Sequence, residues 1–331
     1  MENSTITAID GVTVGHVTDV QNATGVTVVR FAGEGATAAV SVQGAAPGTR
    51  ETDLLDPGNL VDKVHAIVLT GGSAYGLDAA SGVMAVLEAQ GQGLDVMPGV
   101  VVPIVPAAVL FDLSIGSPSV RPNADWGKEA VTTASSQPVQ SGNIGAGTGA
   151  TVGKLGGPAF VTKGGLGSSV TVLPNGTRVA ALVVVNAVGE IVDSRTGAVV
   201  AGVRSSREGE YQSAVDLATG MLDREGSIAT NTTIGIVATD GTLTKTELKK
   251  VAEMAHDGLA RAIRPVHTQF DGDTVFAVSM GSEGSRDDDT SGSGKSLNSI
   301  GVAAAKALEL AIIDGVKAAE SMLGVVASKD W

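Results

Sequence analysis

Glycine sets the terms on which this chain can fold. Forty-five of its 331 residues are glycine, spread without a fixed period, while aromatic residues make up only 3%. Glycine opens backbone conformations closed to other residues and lets neighbouring segments approach, but it contributes no side chain to a core. The core must therefore come from the Val, Ala, Ile and Leu between the glycines, and apolar residues at 43% of the chain are enough for it. Unperiodic glycine with that apolar content excludes a collagen-like or low-complexity chain and fits layered sheets and helices joined by tight turns.

Strand-like runs rich in β-branched residues and bounded by Gly, Asn or Asp recur at 25–31, 36–43, 65–70, 168–173, 179–187, 233–239 and 274–280. Helical spacing places Leu77, Ala80, Met84 and Leu87 on one face, and Leu248, Val251, Ala255, Leu259 and Ala262 on another. Thr244 with Glu247 three residues later predicts a capping box, and Arg264-Pro265 a stop. A last helix is expected from about Leu297 to Met322. Polar stretches at 204–209 and 281–295 read as mobile surface segments. Strands and helices alternate without a clean βαβ rhythm and no linker divides them. The expectation is one α/β domain over residues 1–331, with two sheets sandwiched between helices.

Net charge is −13, with a pI near 4.7, which repels phosphate backbones and anionic lipid, so neither nucleic-acid nor membrane binding is expected. The chain has no cysteine, which removes disulfides, thiolate nucleophiles and iron–sulfur clusters together. The start, Met1-Glu2-Asn3-Ser4-Thr5, lacks the basic and apolar regions of a signal peptide, and the apolar run from Val96 to Phe111 is broken by Pro98, Gly99, Pro103 and Pro106. A cytoplasmic protein is expected.

Familiar ligand motifs fail in detail. Gly145–Ala150 resembles half of a dinucleotide fingerprint but lacks a strong preceding strand, and Gly153-Lys154 is followed by Leu155 where a phosphate-binding loop needs a hydroxyl. Asp287, Asp289, Ser291 and Gly292 begin like a calcium loop, but Asn298 stands where a bidentate glutamate belongs. His16, His65, His256 and His267 show no metal-ligand spacing. No metal and no cofactor is expected.

What remains is Asn231-Thr232-Thr233-Ile234-Gly235, leading into an apolar strand, together with Lys154, Asn186 and Asp271-Gly272-Asp273. Taken singly these have plain readings: a polar turn, a surface lysine in a glycine loop, a turn residue ending a strand, an acidic pair capping a loop. Taken together, and with 69–77 (LTGGSAYGL), 185–189 (VNAVG), 255–263 (AHDGLARAI) and Pro265–Ala277, they resemble the DmpA-type aminopeptidases over nearly the whole chain. The Asn-Thr junction is similar to that of the nylon-oligomer hydrolases of that family, whose DmpA and β-peptidyl members have serine there.

The resemblance implies an αββα sandwich of the DmpA and ornithine acetyltransferase kind, and a precursor that cuts itself between Asn231 and Thr232 into 1–231 and 232–331. Thr232 would then be an amino-terminal nucleophile, Lys154 and Asn186 the polar groups facing it, and Asp271 and Asp273 the acidic pair beside it. The implied activity is hydrolysis of 6-aminohexanoate oligomers, toward which the Asn-Thr junction tilts the reading, or of amino-terminal peptide bonds, by a homo-oligomer of cleaved protomers. An acyltransferase of the ornithine acetyltransferase kind and a non-enzymatic binding protein are the alternatives. Tyr75 and Phe111 are candidates for the substrate pocket. Phe111 stands where some members have a tyrosine, which puts a phenolic contribution there, and the substrate preference, in question.

A threonine hydroxyl needs a base before it attacks a carbonyl. A freed α-amine, with an ordinary pKa of roughly 7.7–8.0, supplies one within the same residue. Asp271 would orient the amine and hydroxyl, Asp273 would support the ammonium, and the Asn186 amide would donate to the oxyanion.

Overall fold

The computed structural model describes residues 3–220, 231–281 and 293–331. In chain order, the strands of its two large sheets are β1 (Val12–Asp19), β2 (Thr24–Phe31), β3 (Ala36–Val42), β4 (Thr49–Arg50), β5 (Lys63–Val64), β6 (Ala66–Thr70), β7 (Ala107–Val109), β8 (Gly165–Val172), β9 (Arg178–Asn186), β10 (Thr232–Thr239) and β11 (Thr274–Ser279). The α-helices among the described residues are α1 (Ala79–Ala89), α2 (Ala124–Thr132), α3 (Ala214–Thr219), α4 (Lys245–Ala262) and α5 (Ser293–Ala318).

A five-stranded sheet runs β1-β2-β6-β7-β4 and a six-stranded sheet runs β8-β9-β10-β11-β3-β5. Neighbours are antiparallel except β6 with β7 and β10 with β11. The two sheets face each other across Val29, Phe31, Ile67 and Leu69 on one side and Leu182, Val184, Ile234, Ile236 and Phe276 on the other. Because side chains alternate along a strand, the intervening residues point outward. Val26, Val28, Ala66 and Val68 meet α1 and α2, while Val183, Val185, Val237, Val275 and Ala277 meet α4 and α5. The result is the expected order of helices, sheet, sheet and helices. Each large apolar side chain buried this way contributes roughly 1.5–3 kcal/mol.

Glycine allows the layers to close. A Cβ built on Gly82 of α1 would lie 1.7 Å from the Ala124 carbonyl oxygen, and one on Gly127 of α2 would lie 1.9 Å from that of Ala79. The two helices thus touch backbone to backbone. Gly167 of β8 and Gly315 of α5 play the same part on the far side, where a Cβ on Gly167 would lie 2.1 Å from the Ala311 carbonyl oxygen.

The Thr244–Glu247 capping box is present as expected, and α4 ends at Ala262, where the backbone turns extended. The last helix differs from expectation at both ends. It begins at Ser293 and stops at Ala318, because Asn143 takes the Glu320 backbone, donating to its carbonyl at 2.8 Å and accepting from its N–H at 3.1 Å. Helix α2 was not anticipated, although Asn123 caps it by accepting from the N–H groups of Asp125 and Trp126. The polar stretch 204–209 forms the tip of a small hairpin in which Val203 and Arg204 pair with Gln212 and Tyr211. Of the loop expected at 281–295, residues 282–292 lie outside the described residues, as do Asp287, Asp289, Ser291 and Gly292, and its last three residues belong to α5. No helix among the described residues is long and apolar enough to cross a membrane.

The Gly82–Ala124 contact reverses an ordinary helix rule. Alanine in a helix interior is normally favoured over glycine by about 1 kcal/mol. Gly82→Ala is expected instead to destabilise the protein by about 1–3 kcal/mol, since the added methyl forces α1 and α2 apart. Urea unfolding of the variant beside the wild type reads this directly, and a gain in stability would show that the two helices separate freely.

Candidate active site

Thr232 is the first residue of β10, at the centre of the six-stranded sheet between β9 and β11. In the antiparallel pairing with β9 its partner is Asn186, the last residue of that strand. Parallel pairing with β11 begins from Ile234 opposite Thr274, and one bridge earlier Asn231 pairs with Asp271. The strand order therefore brings Asn231, Thr232, Asn186, Asp271 and Asp273 to one end of the sheet, and all five are buried.

The Thr232 hydroxyl donates a hydrogen bond to the carbonyl oxygen of Asn231. The Gly272 N–H donates to that same oxygen at 3.0 Å. A side chain at 272 could not be accommodated: its Cβ would lie 2.9 Å from the Thr232 hydroxyl oxygen and 2.7 Å from the Ala46 carbonyl oxygen. The peptide between Asn231 and Thr232 thus carries a hydroxyl next to its carbonyl and a backbone donor on its oxygen.

Lys154 arrives from a tight turn. Gly153 is left-handed, with φ of +69°, and the N–H groups of Gly153 and Lys154 donate to Gly189 and Val188, both at 3.0 Å. This pins Lys154 to the turn that follows β9. Its Nζ donates to the Asn186 carbonyl at 3.0 Å and to Asn186 Oδ1 at 2.9 Å. The Thr151 N–H also donates to Oδ1, at 3.0 Å, which fixes which end of the amide is oxygen. Asn186 Nδ2 consequently points the other way and donates to the Phe111 carbonyl at 3.3 Å. Burial lowers the Lys154 pKa to about 7 against the opposing pull of Asp271, Asp112 and Asp273, so the amine exchanges its proton near neutrality.

The two aspartates have different surroundings. Asp271 Oδ2 accepts from the Thr268 N–H at 2.7 Å and hydroxyl at 2.6 Å. Burial, then repulsion from Asp273, raises its pKa to about 6. Asp273 has both oxygens engaged: Oδ1 by the Thr233 N–H at 2.7 Å, and Oδ2 by His267 through Nδ1 at 2.8 Å and its backbone N–H at 3.2 Å. His267 escaped the sequence reading because histidines were weighed by metal-ligand spacing. Its signal was its place between Pro265 and Asp271 in the stretch that carries the family resemblance.

Two further buried charges were not anticipated. Asp112 accepts from the Thr24 hydroxyl at 2.7 Å and the Gly72 N–H at 2.8 Å, and burial raises its pKa. Lys163 is fully buried and donates to the carbonyls of Gly147, Ala150 and Gly164 at 3.0, 2.8 and 2.9 Å, with burial lowering its pKa to about 7. Three carbonyls match the three protons of an ammonium group. Lys163 thereby holds the 147–150 turn, next to the Thr151 that bonds Asn186. Asp112 sits beside Phe111 in the sequence; nothing in the sequence marks Lys163.

Phe111 adjoins the cluster through its carbonyl, and its side chain is half-buried. Tyr75 is 62% exposed on the turn after β6, with the Arg121 guanidinium carbon 3.8 Å from its ring centroid. Among the described residues, no group of three His, Asp or Glu side chains could hold a metal ion. The assembled groups suit nucleophilic attack by a hydroxyl on a carbonyl: a donor on the oxygen, an amine that titrates near neutrality, and a fixed side-chain amide.

The model of peptidase family S58 matches residues 4–329. An uncharacterized aminopeptidase of Mycobacterium leprae is 42% identical over 343 residues, covering 97% of this chain and 92% of the relative. A 6-aminohexanoate-oligomer endohydrolase of Kocuria sp. is 34% identical over 276 residues, covering 81% of this chain and 72% of the relative. Among solved structures, a β-aminopeptidase of Burkholderia sp. superposes with a TM-score of 0.70 at 23% identity, covering 99% of this chain and 91% of that one. The L-aminopeptidase D-Ala-esterase/amidase of Ochrobactrum anthropi, described as a new variant among the Ntn hydrolase fold, also gives 0.70, at 21% identity and covering 97% and 87%. At these identities the structures speak for the fold, and they agree with the sandwich expected from the sequence. With the match running almost end to end, the chain belongs to peptidase family S58.

Proposed function

We propose that this chain is a precursor that cuts its own Asn231–Thr232 bond and then hydrolyses peptide or amide bonds with Thr232 as an amino-terminal nucleophile. Membership of peptidase family S58 makes it a hydrolase of such bonds. The observation that carries self-cleavage is the carbonyl of Asn231, which accepts from the Thr232 hydroxyl and from the Gly272 N–H at 3.0 Å.

In the first cut the Thr232 oxygen attacks the Asn231 carbonyl carbon as neutral Lys154 takes the hydroxyl proton. The Gly272 N–H steadies the charge that develops on the carbonyl oxygen. The carbon–nitrogen bond then breaks, the Thr232 nitrogen gains a proton, and Asn231 is left as an ester on the threonine oxygen. Water opens that ester, leaving the Asn231 carboxylate and Thr232 with a free amine and hydroxyl.

In turnover the Thr232 oxygen attacks the substrate carbonyl while the new amine takes the hydroxyl proton and passes it to the leaving amine, and water then opens the acyl ester left on Thr232. The Asn186 side-chain amide is assigned to the oxyanion. Asp271 orients the amine. Asp273, whose oxygens are committed to Thr233 and His267, holds the start of β10 and acts on the ammonium only through its charge.

Short peptides with free amino termini and 6-aminohexanoate oligomers are the proposed substrates. Relatives named aminopeptidase reach 42% identity and those named oligomer endohydrolase 34%, so peptides come first. A cytoplasmic homo-oligomer of cleaved protomers completes the reading, on the family resemblance.

Denaturing mass spectrometry should find fragments 1–231 and 232–331 in the wild type and one intact chain in Thr232→Ala. An intact wild type that hydrolyses peptides would sink the mechanism. Asn186→Ala is expected to lower kcat by about 10²–10³ while KM changes little. Equal losses in kcat and in binding would remove Asn186 from the oxyanion.

The lowered pKa of Lys154 sets a pH profile for the first cut. Lys154 is neutral only above about 7, so self-cleavage should accelerate as pH rises through neutrality and then level off. Lys154→Met keeps the stem and removes the base, and should slow the cut by at least about 10²-fold. Cleavage timed after a pH jump tests both expectations, and a flat profile would remove Lys154 from the step.

A further inference from the structure

We propose that His267 is a positioning residue for Thr232, acting through Asp273; the inference rests on Thr232 being the nucleophile. Asp273 Oδ1 holds the Thr233 N–H at 2.7 Å, one residue beyond Thr232. Its other oxygen is held twice by His267, through Nδ1 at 2.8 Å and the backbone N–H at 3.2 Å. A carboxylate with two donors from one residue on one side cannot turn away from the backbone donor on the other.

The double grip depends on an unusual backbone. His267 has φ of +56°, in the left-handed region that a residue with a side chain enters at a penalty. That conformation turns its N–H and its ring onto the same oxygen.

The ring is also wedged in place. It packs edge-on against His256 of α4, with centroids 4.8 Å apart and planes at 71°. His256 Nε2 lies 3.0 Å from the Ser41 carbonyl, which can only accept, so that nitrogen carries the proton. By the same logic His267 Nδ1 carries a proton toward Asp273. The remaining nitrogens, His256 Nδ1 and His267 Nε2, are buried and have no hydrogen-bond partner among the described residues. A ring placed for stability alone gains nothing from a buried unpaired nitrogen. What His267 gains is at Nδ1, and the chain from there runs through Asp273 and Thr233 to the threonine that reacts. Displacement of a reacting group by about 1 Å lowers rates by about 10²-fold.

Two variants separate positioning from packing. His267→Phe keeps a ring against His256 and removes the Nδ1 donor. His267→Asn keeps a side-chain N–H donor on a residue that tolerates left-handed backbone. The phenylalanine variant is expected to slow self-cleavage and to lower kcat about 10–100-fold with KM within about twofold, and the asparagine variant to regain most of the loss. Hydrogen exchange in a peptide spanning 232–239 should quicken at its start in His267→Phe only. Combined with Asp273→Asn, the phenylalanine change should add little, since both break one chain. Wild-type rates in His267→Phe, equal losses in both variants, or losses that multiply with Asp273→Asn would each overturn the proposal. An uncut wild type, or an active Thr232→Ala, would instead defeat the nucleophile reading, and the exchange measurement would still decide whether His267 holds Thr233.

Discussion

The parallel pairing of β10 with β11 is the constraint from which the site follows. Parallel neighbours enter a sheet from the same end, so the residues preceding both strands must meet there. Asn231 and Thr232 lead one strand and Asp271–Asp273 lead the other, and the bridge between Asn231 and Asp271 places the Gly272 N–H on the Asn231 carbonyl at 3.0 Å. Parallel strands also require a crossover, which here is α4, and its burial against β3 and β11 closes that face of the sandwich. One topological choice thus sets the acidic pair beside the threonine and supplies a helix that packs on β3 and β11. Antiparallel β9 approaches from the other direction and ends where β10 begins, which is why Asn186, far away in sequence, faces Thr232.

Much of the architecture could be read from the sequence because its signals are local. Strands such as β9 are apolar between their end residues, here from Val179 to Val185, being buried on both faces, and the capping box of α4 lies within four residues. Helix α5 was placed less well since its end is set by Asn143, a tertiary partner that no periodicity reports. The same division holds at the site. Asn231, Thr232, Asn186, Lys154 and the Asp271–Asp273 triplet were found because a family pattern joins residues that are distant in sequence. Lys163 has no such pattern, and no local signal reports the three carbonyls that surround it.

The charges in this region explain why so much polar material is tolerated in a buried place. Asp271 and Asp273 act on Lys154, Asp273 and Lys154 act on Asp271, and Asp112 lies within reach of both Lys154 and Lys163. Removing any of them from water is unfavourable, and the fold answers with backbone groups: carbonyls for Lys163, N–H groups for Asp112, Asp271 and Asp273. What those bonds leave over is reactivity. Lys154 and Asp271 are displaced from their usual ranges toward neutrality, where small energies move protons.

The two reactions proposed for Thr232 then need different donors, and the geometry supplies them from opposite strands. For its own peptide the donor is the Gly272 N–H, part of the backbone on the β11 side and unable to move without disturbing the parallel bridge. For a substrate it is the Asn186 side chain on the β9 side, held by Thr151 and Lys154. A single oxyanion site would have to release the cleaved Asn231 carbonyl before it could serve a substrate. Two sites flanking one hydroxyl remove that conflict. The backbone donor also needs glycine at 272, where an added Cβ would lie 2.9 Å from the Thr232 hydroxyl oxygen and 2.7 Å from the Ala46 carbonyl oxygen.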